Sequence, residues 1–281
     1  MDIITGIPEM RARLAGEHSI AFVPTMGNLH AGHIALVNLA RQHGRCVVVS
    51  IFVNPLQFGP NEDLTAYPRT LEADLEKLAA AGADIVFTPT DAVLYPEAQS
   101  IVVEPPAIAN ALCGAVRPGH FRGVCTVVLK LFNIVQPRFA VFGKKDFQQL
   151  HVIREMVRQL DLPVVIVPGD TVREPDGLAM SSRNSYLKPD QRIEAPRLYK
   201  ALQQVVKSIQ LDGRRDFPAI TAQTSHYLSM MGWIVDYIEI RASDTLLPAQ
   251  PDDRHLVALG AARLGQTRLI DNIELTADGE Q

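Results

Sequence analysis

The chain has 281 residues, 47% of them hydrophobic, and a formal charge of −4, which is ordinary for a globular protein of one large or two modest domains. Basic and acidic residues are mixed along it, so electrostatics gives no reason to expect a nucleic-acid or membrane partner. No apolar run approaches the roughly 20 residues that span a bilayer. The start, Met1 to Gly6, lacks the basic and apolar regions of a signal peptide, and Cys46, Cys113 and Cys125 form neither a disulfide framework nor a metal cluster; a cytoplasmic protein is expected.

In chain order, Ile20 to Val23 reads as a short strand, followed by Pro24 and Gly27 as punctuation. A helix fits from about Ala31 to His43, apolar on most sides and closed by Gly44. Cys46 to Val53 is a continuous apolar run, the pattern of an interior parallel strand, with Cys46 as a small buried hydrophobe. Strand, helix and strand in about 35 residues make a βαβ unit. Leu71, Leu75 and Leu78 mark a helix after Thr70, a candidate N-cap; Gly82 ends it, and Asp84 to Thr88 is the next strand. An apolar helix is predicted from about Val124 to Val135, stopped before Pro137. Phe139 to Phe142 is a strand that runs through Gly143-Lys144-Lys145-Asp146 into a helix with the stripe Phe147, Leu150, Ile153, Val157 and Leu160; Val164 to Val167 follows as a strand.

After about Pro175 the rhythm changes. Asp176 to Asn184 is a polar loop, Pro189 opens a helix whose later stripe is Leu198, Leu202, Val205 and Ile209, and another helix ends near Gly232. Trp233 to Ile240, His255 to Leu259 and Thr267 to Ile270 read as strands. The fold class is therefore α/β: a doubly wound, Rossmann-like parallel sheet over residues 1–175, with a smaller C-terminal α+β domain over residues 176–281.

Four segments carry candidate chemistry. Pro24 to His33 places His30 and His33 three residues apart where a strand hands over to a helix. Free N–H groups and the helix dipole favour an anion there, and glycines at Gly27 and Gly32 allow a close approach. Two imidazoles beside a phosphate can donate to oxygens that gain charge during attack at phosphorus. A turn with incidental histidines, or half of a metal site, fits the same residues. Phe142 to Gln149 lies at another strand's carboxyl end, with Lys145 and Gln149 spaced as helical neighbours; a solvated lysine pair is the alternative. Met180 to Asn184 joins hydroxyls to a guanidinium, a phosphate-binding set or a hydrated interdomain loop. Ser50 to Phe58 ends in the amides Asn54 and Gln57, suited to reading hydroxyl and carboxylate groups or to closing the strand with an Asn-Pro turn.

Together with Tyr67 to Thr70, Gly119 to Val124 and Arg268 to Asn272, these segments span nearly the whole chain in order. The set closely resembles the pantothenate synthetase (pantoate–β-alanine ligase) family of the His-x-Gly-His nucleotidyltransferase-like superfamily. The resemblance implies a two-step ligation: pantoate's carboxylate attacks the α-phosphorus of ATP, and β-alanine's amine then attacks the acyl adenylate, giving pantothenate and AMP without a covalent enzyme intermediate.

The resemblance also implies roles residue by residue. Met26, Gly27, Asn28, Leu29, His30, Ala31, Gly32 and His33 line the ATP site, with His33 the proton donor. His30 and Lys145 steady the triphosphate. Gln57 and Gln149 hold pantoate, and Gln57 also lies near β-alanine. Gly143, Lys144, Lys145, Asp146, Val172, Met180, Ser181, Ser182 and Arg183 complete the nucleotide site. Asp74 matches an acidic position associated with Mg2+. Family members form homodimers, and the C-terminal domain acts as a lid. One departure stands out: Lys144 replaces the acid usual in the family, which affects only what that acid's side chain did. Two other readings remain: a nucleotidyltransferase acting on a phosphorylated acceptor, which makes a nucleotide conjugate rather than AMP, and a non-catalytic ATP- or RNA-binding module.

Overall fold

The computed structural model describes residues 1–60 and 62–277. These form two compact units, one of Met1–Lys144 with Val152–Asp170, the other of Lys145–His151 with Thr171–Gln281.

The first unit holds a parallel sheet. Its strands are β1 (Asp2–Ile4), β2 (Ile20–Thr25), β3 (Cys46–Ile51), β4 (Ile85–Phe87), β5 (Phe139–Gly143) and β6 (Val165–Gly169), in the order β1-β4-β3-β2-β5-β6. Every pairing is parallel, so the carboxyl ends of the central strands share one edge; Thr25 is level with Ile51, and Gly143 with Gly169. The helices in chain order are α1 (Ile7–Leu14), α2 (Ala31–His43), α3 (Leu71–Ala81), α4 (Asp91–Leu94), α5 (Cys113–Val116), α6 (His120–Val135) and α7 (Phe147–Gln159).

Period-two alternation explains the two buried faces. Ala21, Val23, Val47 and Val49 pack with Val37 and Ala40 of α2 and Leu78 and Ala81 of α3. The intervening Phe22 meets Phe132 of α6 edge-on, with ring centroids 6.4 Å apart. Helices therefore cover both faces, as the unbroken apolar pattern of β3 requires.

The second unit contains α8 (Pro189–Glu194), α9 (Arg197–Gln210), α10 (Phe217–Met230) and the strands β7 (Ile234–Ala242), β8 (His255–Leu264) and β9 (Thr267–Thr276). The strands pair antiparallel in the order β7-β8-β9. Leu198, Leu202, Val205 and Ile209 of α9 bury against Ile238, Ile240, Leu256 and Ala258 of the sheet, the amphipathic stripe expected of that helix.

Several elements differ from the sequence expectation. Phe52 and Val53 fall outside β3. α6 begins at His120, four residues early, led in by Gly119 at φ 80°. The predicted helix from Pro189 is two helices, because Pro196 lies at their junction and cannot donate an N–H. β8 and β9 run on to Leu264 and Thr276 as the arms of one long hairpin. β1, α1, α4 and α5 had no sequence signal strong enough to predict them. In α7 the buried apolar positions are Phe147, Leu150, Val152, Ile153 and Met156, while Leu160 lies beyond the helix and is exposed. Gly44 does end α2, but with extended backbone (φ −121°). Its reason is close packing: a Cβ there would lie 2.6 Å from the main-chain nitrogen of Ala21.

Candidate active site

At the carboxyl end of β2 the chain turns through Met26 to Leu29 and enters α2. Gly27 (φ 82°) and Asn28 (φ 49°) take left-handed backbone, which glycine adopts freely and asparagine more readily than other residues. A Cβ on Gly27 would also press on Ile51 Cγ2 at 3.1 Å and Asp74 Oδ2 at 3.2 Å. Gly32, by contrast, is the second residue of α2 and has helical backbone.

The turn's N–H groups are largely committed. Asn28 N–H donates to Asp74 Oδ2 and Leu29 N–H to Asp74 Oδ1, both at 2.8 Å. The N–H of His30 donates to Nδ1 of His33 at 3.3 Å, and that of Gly32 to Nδ1 of His30 at 3.1 Å. This corrects the expectation of a bare helix N-terminus offering main-chain donors to an anion. An Nδ1 that accepts holds no proton, so in each neutral ring the proton sits on Nε2 as a donor. The rings lie 4.1 Å apart, centroid to centroid. Leu29 is an anchor: its side chain is buried in the core, and its carbonyl accepts from Lys77 Nζ at 2.7 Å.

Asp74 does not fit the Mg2+ role the resemblance gave it. Its side chain is 0% exposed, and besides the two N–H groups it accepts Thr70 Oγ1 at 3.1 Å. A divalent cation needs oxygens that it can share with water or phosphate. No group of three or more His, Cys, Asp or Glu able to hold a metal ion occurs among the described residues. Thr70, in turn, makes no side-chain bond to its own helix N-terminus; its hydroxyl goes to Asp74 instead.

The second loop of this edge, after β3, carries Asn54 and Gln57. Asn54 is 1% exposed and fully engaged: its Nδ2 donates to Gln57 Oε1 at 3.1 Å and to the carbonyl of Gly123 at 3.2 Å, while its Oδ1 accepts from Tyr95 at 2.8 Å. It is scaffold rather than reader. Gln57 Nε2 donates to Met26 Sδ at 3.1 Å, which joins this loop to the histidine loop.

The carbonyl of Gln57 is held from below by α6. Arg117 pairs bidentately with Glu62 and sets its Nη1 3.0 Å from His120 Nε2. A guanidinium only donates, so Nε2 accepts and Nδ1 carries the proton. That Nδ1–H donates to the Gln57 carbonyl at 2.9 Å. Gly123 lets α6 approach this closely, since a Cβ there would lie 2.7 Å from Gln57 N. Arg117, His120 and Gly123 gave no signal of their own in the sequence; the matched stretch Gly119 to Val124 covers His120 and Gly123 but not Arg117.

At the end of β5, Lys144 Nζ pairs with Asp170 Oδ1 at 3.1 Å on the surface. This is where the charge of the unusual lysine goes. Lys145 and Asp146 lie in a 3₁₀ turn before α7 rather than in the helix, so Lys145 and Gln149 are not neighbours within one α-helix. Lys145 Nζ lies 3.7 Å from Asp146 Oδ2.

In the second unit, Met180 N–H donates to the carbonyl of Val172 at 3.0 Å, which brings those two candidates together. Ser181 Oγ accepts from Arg183 N–H at 3.2 Å and opens the 3₁₀ turn Ser182–Tyr186. Arg173 forks onto Asp271 at 2.7 and 2.9 Å. Burial pushes the Asp271 carboxyl above its ordinary value against the pull of that guanidinium.

The profile of the pantoate-beta-alanine ligase family matches residues 2–274. The chain belongs to this family. It is 66% identical to a pantothenate synthetase of Methylobacillus flagellatus over 98% of this chain and 99% of the relative. It is 58% identical to one of Nitrosospira multiformis over the full length of both. Among solved structures it is similar to pantothenate synthetase from Thermus thermophilus, with a TM-score of 0.91, 44% identity and coverage of 97% and 99%. It is also similar to pantoate-beta-alanine ligase from Francisella tularensis complexed with Beta-gamma ATP and beta-alanine, with a TM-score of 0.82, 35% identity and 97% of each chain covered. As in the other pantoate-beta-alanine ligases, a parallel Rossmann-like sheet is joined to a small antiparallel one. No helix among the described residues is long and apolar enough to cross a membrane.

Proposed function

We propose that the chain condenses pantoate with β-alanine to pantothenate, using ATP and passing through a pantoyl adenylate. The observation that carries this reading is the His30–His33 pair, with both Nδ1 atoms accepting main-chain N–H groups and both Nε2 atoms carrying the ring protons, in a pantoate-beta-alanine ligase family member. The Francisella relative's complex with Beta-gamma ATP and beta-alanine supports the choice of substrates.

In the first step a pantoate carboxylate oxygen attacks the α-phosphorus. The bond from that phosphorus to the pyrophosphate oxygen breaks, and pyrophosphate leaves with the electron pair. In the second, the β-alanine nitrogen attacks the acyl carbon, the acyl C–O bond breaks, AMP leaves and the amine releases a proton. His33 donates from Nε2 to oxygens gaining charge; His30 and Lys145 steady the triphosphate. Gln57 and Gln149 hold pantoate, Gln57 also serving β-alanine. Met26 to His33, Gly143 to Asp146, Val172 and Met180 to Arg183 serve the nucleotide, Leu29 as an anchor of its loop. Asp74, whose oxygens are committed to Asn28, Leu29 and Thr70, would not hold Mg2+ brought in with ATP. We assign residues 1–175 to ATP and pantoate binding and 176–281 to a lid, and expect a cytoplasmic homodimer without nucleic-acid or membrane partners, on the strength of the family resemblance and the mixed charge.

The test is exchange of labelled pyrophosphate into ATP that depends on pantoate and proceeds without β-alanine. Adding β-alanine should convert the exchange into release of AMP and pantothenate. A folded chain that shows no exchange overturns the reading.

A further inference from the structure

We infer that Asn272, backed by Asp271 and Arg173, is a positioning residue for Lys145; this rests on the proposed role of Lys145 at the triphosphate. Asn272 Nδ2 donates to the main-chain carbonyl of Lys145 at 2.9 Å, across 127 residues of sequence. The matched stretch Arg268 to Asn272 otherwise has no part in the proposed chemistry.

The support behind that bond is continuous. Asn272 and Asp271 are both buried, although both are polar and in the middle of β9. Placing an amide and a carboxylate there is unfavourable unless each is hydrogen-bonded. Asp271 Oδ1 accepts the main-chain N–H of Asn272 at 2.8 Å, and both its oxygens receive the Arg173 fork. Arg173 also donates to the carbonyls of Gly177 at 3.1 Å and Asn272 at 3.3 Å. Its guanidinium lies 3.7 Å from the centre of the Tyr199 ring, which holds the planar group in place. A chain of hydrogen bonds thus runs from a stacked arginine to a mid-strand carboxylate that accepts from it and from the Asn272 main chain, and the Asn272 carboxamide donates onward to the Lys145 carbonyl. The 3₁₀ turn that carries Lys145 has only three residues, Lys144–Asp146. A 3₁₀ turn this short offers little main-chain bonding of its own, so the bond from Asn272 adds a fixed point on the lysine's backbone between β5 and α7. With the backbone fixed, ordering the ammonium requires settling only side-chain torsions.

The test compares the unmodified chain with Asn272→Asp, Asn272→Ser, Lys145→Ala and the Asn272→Asp/Lys145→Ala double variant. The readouts are pantoate-dependent pyrophosphate exchange, kcat, KM for ATP, KM for pantoate and thermal unfolding. Asn272→Asp keeps the shape but turns an acceptor toward a carbonyl. It should lower kcat/KM for ATP by about 10- to 100-fold, the scale of a small misplacement, and leave KM for pantoate within about 2-fold. In the Lys145→Ala background the same change should cost almost nothing more, because residues acting through one another are not additive. Equal losses in both backgrounds, or ATP kinetics in a folded Asn272→Asp chain within about 2-fold of the unmodified chain, overturn the positioning role. If Asn272→Asp does not fold, Asn272→Ser is judged by the same criteria in both backgrounds. A Lys145→Ala chain with undiminished exchange instead overturns the reading of Lys145, so the two failures are distinguishable.

Discussion

The carboxylate of Asp74 accepts the main-chain N–H of Leu29 at 2.8 Å across 45 residues of chain, and its other oxygen takes Asn28 at the same distance. A buried charge on α3 therefore sets the shape of the loop that leads into the two histidines. Asp74→Asn replaces one acceptor with a donor facing an N–H. Hydrogen bonds to a charged group contribute about 1.5–3 kcal/mol, so we expect a stability loss in that range in chemical denaturation. The accompanying fall in kcat should persist at any Mg2+ concentration. Full recovery of kcat at high Mg2+ would show that Asp74 is a metal ligand after all.

His33→Ala removes an Nε2 donor and the Nδ1 acceptor of the His30 N–H. Loss of a transition-state donor lowers kcat by about 100–1000-fold. Pyrophosphate exchange should fall by that factor while the circular dichroism spectrum is retained. Exchange within a few-fold of the unmodified chain would remove His33 from the chemistry.

Gly123→Ala drives a methyl group toward the Gln57 main chain, where only 2.7 Å separates an added Cβ from Gln57 N. Overpacking of this kind costs about 1–3 kcal/mol. Because Gln57 moves with its backbone, KM for pantoate should rise while KM for ATP changes little. Steady-state kinetics with each substrate varied in turn separates this from a general loss of stability.

Ser50 is buried in β3 and its Oγ has no hydrogen-bond partner. Such a hydroxyl is a net burden of about 1–3 kcal/mol. Ser50→Ala should be neutral or raise the unfolding midpoint; a clear loss of stability would mean that the hydroxyl is bonded in solution.

Burial pushes the Cys46 thiol up to about 11 and the Cys125 thiol up to about 12, from an ordinary 9.0. A folded-state value above the unfolded one means stability is complete below about pH 9 and is lost as pH rises toward these values. Stability measured from about pH 8 to 11 should therefore fall, and Cys125→Ala should flatten the fall. In the native chain at about pH 8 the half-buried Cys113 should react with a thiol reagent well before the other two.

Much of the first unit was legible in the sequence. The apolar run of β3 and the alternation of strand and helix follow from local pattern, because burial on two faces demands side chains that are apolar whatever their partners. The His-x-x-His spacing singled out the loop before α2 from local pattern as well. What did not show was how the polar groups are spent. Asp74 is buried in α3 while Leu71, one of the leucines that mark this helix in the sequence, is exposed. Nothing near Asp74 in sequence announces the two N–H groups that make this tolerable.

The sequence by itself determined the fold class, the order of the main strands and helices, and the family; these rest on periodicity and on motif spacing along the chain. Tertiary structure alone decided the tautomer of His120, the commitment of Asp74 to Asn28 and Leu29, and the tether from Asn272 to Lys145. Each is a hydrogen bond whose direction depends on what faces a side chain, and for Asp74, His120 and Asn272 that partner lies 45 to 127 residues away. Periodicity shows which side chains turn inward, but not which polar group will meet them there.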